Sequence, residues 1–72
     1  MPIPIETLES IVDAGGGFEI DALVYTPEQL ISFIGRMDTT AVLRIRNACA
    51  WPTSQLPVVA QTAPPGVVQY VF

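Results

Sequence analysis

Three short stretches alternate apolar and polar residues: Phe18-Glu19-Ile20-Asp21-Ala22, Leu43-Arg44-Ile45-Arg46-Asn47 and Val68-Gln69-Tyr70-Val71-Phe72. Successive stretches start 25 residues apart. Each places apolar side chains at its first and third positions, the period of a half-buried strand. Ahead of each lies a set of apolar positions at helical spacing. These are Ile5, Leu8, Ile11 and Val12, then Leu30, Phe33, Ile34 and Met37, then Leu56, Val59 and Ala60. Leu8, Leu30 and Leu56 stand as equivalent anchors. The pattern predicts a single domain over residues 1–72, built of three helix–strand units at about 4–24, 26–48 and 52–72. The fold class is α/β: a three-stranded parallel sheet with helices on one face, arranged as a solenoid.

The boundaries agree with three units. Thr26-Pro27-Glu28-Gln29 supplies a capping Thr, a proline for the first turn and a Gln to close a capping box. Gly15-Gly16-Gly17 ends the first helix, Asp38-Thr39-Thr40 the second and Pro64-Pro65-Gly66 the third. Pro57 sits in the first turn of the third helix or delays its start. The glycine run leads into a strand with no Gly-Lys-Ser/Thr after it, so it is a helix stop and not a phosphate cradle.

Helix–strand order with no turn back implies parallel neighbours joined by helical crossovers; the fold alternative is a ferredoxin-like or other mixed α+β arrangement, which needs antiparallel neighbours that this order does not supply. Aligning the units by 25 sets Glu19 beside Arg44 and Asp21 beside Arg46, with Gln69 extending the polar row. On the other face Phe18, Leu43 and Val68 form one row, and Ile20, Ile45 and Tyr70 a second. A slip of one residue would bury the charges, which fixes this register. Val42-Leu43-Arg44-Ile45-Arg46-Asn47 resembles the L-x-L strand and following Asn of leucine-rich repeats, and the 25-residue spacing lies in that family's range. The Asn comes one position early, and Ala22 and Phe72 replace it in the other units. The resemblance implies protein–protein recognition through the open strand face, which maps here onto Glu19, Asp21, Arg44, Arg46, Gln69 and Val71.

Composition narrows the chemistry. Seven acidic residues against three basic ones, all arginine, give a net charge of −4. That argues against nucleic acid and anionic membrane as partners, which are bound through clustered Lys and Arg. The chain has no histidine and a single cysteine, so the usual catalytic and metal-binding constellations are absent and an internal disulfide cannot form. No catalytic residue, cofactor or metal ligand is expected, and the chain is read as no enzyme. Cys49 has no base to ionise it and is expected to be a buried, inert thiol. Glu19 and Asp21 are expected to pair with the arginines opposite, which opposes a general-acid role. Asn47, the one polar residue on the apolar parity of its strand, is expected to hydrogen-bond the neighbouring turn. Tyr25 and Trp51 are expected to lid the core at the strand ends, in preference to forming an aromatic recognition site. The N-terminus lacks the features of a signal peptide and no run is long enough to span a bilayer, so a cytoplasmic location is expected.

The last strand carries the sharpest functional signal. Gly66 to Phe72 has no charge, no proline and high strand propensity, and would form an exposed edge that proteins normally protect. Val67, Val68, Tyr70 and Phe72 are therefore read as a self-association edge. The expected role is a non-enzymatic protein-interaction or self-assembly module. A two-fold homodimer is placed ahead of a head-to-tail filament. The alternative is a small acidic inhibitor or immunity-type protein that binds one specific protein through Glu19 and Asp21.

Overall fold

The computed structural model describes residues 3–72. Three helices, α1 (Ile5–Asp13), α2 (Pro27–Ile34) and α3 (Leu56–Thr62), alternate with three strands, β1 (Phe18–Asp21), β2 (Leu43–Arg46) and β3 (Val68–Tyr70). The strands form one parallel sheet in the order β1-β2-β3. Phe18 lies beside Leu43 and Leu43 beside Val68, while Glu19 lies beside Arg44 and Asp21 beside Arg46. The 25-residue register read from the alternation is the register of the sheet.

Local chemistry explains where the elements stop. α1 ends on Gly15 at φ +86°, with the Gly15 N–H donating to the Val12 carbonyl and the Gly16 N–H to the Ile11 carbonyl. That pair of bonds is a Schellman cap, and its left-handed residue favours glycine. α2 starts on a complete capping box: Gln29 N–H donates to Thr26 Oγ1 and Thr26 N–H to Gln29 Oε1. It ends earlier than Asp38-Thr39-Thr40 suggests, with Gly35 as its C-cap. Met37 then reaches the core from a turn held by Arg36 N–H on Phe33 O and Met37 N–H on Ile34 O. The Asp38 carboxylate accepts from the Thr40 N–H and hydroxyl, so that segment shapes the loop that follows. Two short 3-10 turns, Ala48–Ala50 and Thr53–Gln55, lead into α3, whose first turn takes Pro57 at no cost in hydrogen bonds.

Leu8, Leu30, Phe33, Ile34, Leu43, Ile45, Val59 and Val67 are sealed in the core between helices and sheet. Leu56 is not the third anchor that its alignment with Leu8 and Leu30 suggests. It sits half-buried in the opening turn of α3, and Val59 takes the enclosed position. Burial also varies along each strand row. In the first row Leu43 is fully buried while Phe18 and Val68 are only partly so, and in the second Ile45 is fully buried while Tyr70 is partly so. The middle unit has neighbours on both sides, and each end unit has one. No helix of the described residues is long and apolar enough to cross a membrane.

Candidate interaction surfaces

The face of the sheet away from the helices presents Glu19, Asp21, Arg44, Arg46, Gln69 and Val71, as the alternation requires. Its ion pairs differ from a simple reading of the register. Glu19 takes both arginines, with Arg44 Nε 3.5 Å from Oε1 and Arg46 Nε 3.2 Å from Oε2. Asp21 stands opposite Arg46 in the ladder but forms no ion pair with it. At the end of β1, the turn that follows claims its carboxylate. Leu23 N–H donates to Oδ1 at 2.8 Å, and Asn47 Nδ2 donates to Oδ2 at 3.1 Å. Asn47 thus bonds a side chain across the sheet instead of the turn backbone. It holds the left-handed conformation, φ 55°, that Asn tolerates better than other side chains. The face is nearly charge-balanced, and each exposed pair is worth about 0–1 kcal/mol.

The Leu23 amide, with the Asn47 amide and the Arg46 charge behind it, holds the Asp21 carboxyl below the usual carboxylate range. A depressed native value means the contribution is complete above the unfolded value of about 3.9 and lost as pH falls through the native one. Asp21→Ala should therefore melt below the wild type at pH 7, and the gap should narrow as the pH falls from the unfolded value of about 3.9 through the lower native one. Thermal melts across that range check this; a gap of constant size would mean the carboxylate charge contributes nothing.

Tyr25 and Trp51 are buried lids whose polar atoms are spoken for. The Tyr25 hydroxyl donates to the Ile3 carbonyl at 2.6 Å, and Trp51 Nε1 donates to the carbonyls of Ala22 and Tyr25 at 3.1 and 3.0 Å. Neither offers a polar atom to a ligand. Cys49 departs from expectation: Ala48 takes the core position of the 3-10 turn and the Cys49 thiol is exposed. No cluster of potential metal ligands exists among the described residues.

The third unit holds the proposed edge. Val67 lies inside the core and its carbonyl accepts from Leu43 N–H, so neither its side chain nor its carbonyl faces outward. Val71 N–H donates to Ile45 O and Val71 O accepts from Ala48 N–H, which turns the odd-numbered peptide groups toward β2. Strand alternation then points the N–H and C=O of Val68, Tyr70 and Phe72 away from the sheet, where no strand of the described residues pairs with them. Tyr70 is anchored by its hydroxyl on Leu56 O and by an edge-on contact with Trp51, whereas Phe72 is 74% exposed.

Two features escaped the sequence pattern. No residue from 47 to 72 is charged, whereas Glu6, Glu9, Asp13, Glu19 and Asp21 give the first unit five acids and no base. The asymmetry is visible in the sequence once charge is tallied unit by unit. The second is an open cleft of about 400 Å³ along the outer edge of β1, walled by Leu8 and Ile11 of α1, by Phe18 and Ile20, and by Val24 and Tyr25, with Glu19, Asp21 and Arg46 also lining it. Its sequence trace is the apolar arc of α1, along which Ile5 and Ile11 remain half-buried while Leu8 and Val12 are enclosed. No family model, curated protein or solved structure matches the chain.

Proposed function

We propose that this chain is a non-enzymatic interaction module, a short solenoid of leucine-rich-repeat-like architecture that assembles with its own kind by pairing the free edge of β3. The observation that carries this reading is the third unit itself. Its edge peptide groups have no partner strand among the described residues, no charged side chain lies in the strand, and Val71 and Phe72 beside them are exposed. Proteins ordinarily blunt such an edge with Lys, Pro or a bulge, and strand addition satisfies it instead. The open strand face sets specificity in this reading, with Gln69 and Val71 flanking the paired strand and Glu19, Arg44 and Arg46 beyond. An inhibitor acting through Glu19 and Asp21 is less well supported, because both carboxylates already have partners within the chain. We place the module in the cytoplasm, where an exposed unpaired Cys49 stays reduced.

Amide hydrogen exchange, compared between about 10 μM and about 1 mM protein, tests the edge directly. The amides of Val68, Tyr70 and Phe72 should slow by about tenfold or more at the higher concentration, as transient pairing protects them. Rates that do not change would overturn self-pairing at this edge.

A further inference from the structure

The cleft beside β1 is the other end of the same stack, and resting on the edge-pairing reading above, we propose that it receives the β3 end of a second copy. Assembly is then head to tail, one copy's third unit on the next copy's first.

Each end of the molecule lacks what the other supplies. β1 is an edge like β3: Phe18 N–H donates to Val42 O and Ala22 N–H to Arg46 O, so the Glu19 N–H and C=O and the Asp21 N–H face outward, while the Asp21 C=O already accepts from the Val24 and Tyr25 N–H groups of the turn that follows. The hydrogen-bond pattern of the sheet already repeats every 25 residues, with Phe18 N–H on Val42 O recurring as Leu43 N–H on Val67 O. A β1 strand placed after β3 at the same interval continues both apolar rows, setting Phe18 beside Val68 and Ile20 beside Tyr70. It also sets the Gln69 amide, a donor, beside the Glu19 carboxylate. Phe72 is 74% exposed at the β3 end, its ring 6.0 Å from that of Tyr70, and the open cleft at the β1 end offers apolar walls with the charged side chains of Glu19, Asp21 and Arg46 also lining it. A two-fold β3–β3 dimer would leave the β1 edge and its cleft unfilled.

Charge selects the same pairing. The first unit has five acids and no base, and although Asp13 and Glu19 pair with arginines of the second unit, Glu6 and Glu9 on α1 disfavour packing this end against a second copy of itself. The third unit, which carries no charged side chain, can lie against it without like-charge repulsion. The contact is of modest size. Every face of the 29 × 29 × 18 Å envelope is at least 18 by 29 Å, so stacking covers roughly 500 Å² on each copy, at the lower limit for a specific interface of about 1,000 Å² in total. Association should accordingly be weak, concentration-dependent and open-ended, because this contact leaves one free end of each kind.

Two exposed positions, one at each end, separate the geometries. Val24→Lys places a charge in the mouth of the cleft, and Phe72→Lys places one on the exposed β3 end. Both side chains are half or more exposed, at 50% and 74%, so the fold should tolerate them. Thermal melts verify this, and Val24→Asp and Phe72→Asp serve as second variants. Head-to-tail assembly predicts that each Lys variant alone is monomeric by light scattering where the wild type associates. An equimolar mixture should then form a species of twice the monomer mass and no larger, since one intact end of each kind remains and the two altered ends repel. If Val24→Lys associates as the wild type does while Phe72→Lys is monomeric, the contact is two-fold between β3 edges and the head-to-tail geometry is wrong. If the wild type itself never associates, the edge-pairing reading falls and this inference with it.

Discussion

Replacing Trp51 by Ala is expected to leave the domain barely folded at room temperature. The indole is 5% exposed and touches two units at once, since its Nε1 bonds the carbonyls of Ala22 and Tyr25 and its ring meets Tyr70 edge-on. Truncating a buried aromatic of this size costs about 3–5 kcal/mol. A domain of this length holds roughly 4–10 kcal/mol in all. Trp51→Phe separates packing from hydrogen bonding. It keeps most of the ring volume and strands two buried carbonyls, so about 1–3 kcal/mol should be lost. Urea titrations followed by circular dichroism measure both variants. A Trp51→Ala protein as stable as the wild type would show that the three units are held together elsewhere.

Gly17→Ala should lower the melting temperature by roughly 10–25 °C, from about 2–4 kcal/mol of forced displacement in a domain of this size. Its requirement is one of space. A Cβ on Gly17 would overlap the Val42 carbonyl oxygen and lie 2.7 Å from the Val42 nitrogen. The obstacle is backbone, which has no rotamer by which to move aside. The same Val42 carbonyl accepts the Phe18 N–H at 3.0 Å, the first bond of the β1–β2 ladder. Alanine therefore pries the sheet open where β1 enters it. A thermal melt close to wild type would mean Val42 can retreat without loss of that bond.

How much of this was legible in the sequence depends on the range of the interaction. The register was readable because the constraint is periodic: Phe18, Leu43 and Val68 cannot leave their rows without exposing apolar groups and burying Glu19 and Arg44. The Thr26 and Gln29 capping box was readable because its partners are three residues apart. Cys49 was misplaced because burial in a single 3-10 turn depends on which of three small residues meets the core, and Ala48 does. The Asp21–Arg46 pair did not form because a turn amide two residues away is a nearer and better-oriented donor than a side chain across the sheet. Leu56 lost its anchoring place because the proline after it fixes where α3 begins, which hands the enclosed position to Val59. Gly17 looked like part of a helix stop because its close approach to Val42 is a contact between distant segments. The β1 cleft was invisible for a related reason, since it is defined by the absence of a neighbour. That absence also explains the graded burial along each strand row and links the cleft to the free edge of β3.

The central claim is that this surface completes itself with another copy of the chain, and the mass in solution across a concentration series tests it most directly. Light scattering from about 10 μM to about 1 mM should show an average mass that rises steadily above the monomer, as expected for a weak contact of this area. A mass fixed at that of the monomer throughout the range would contradict the account.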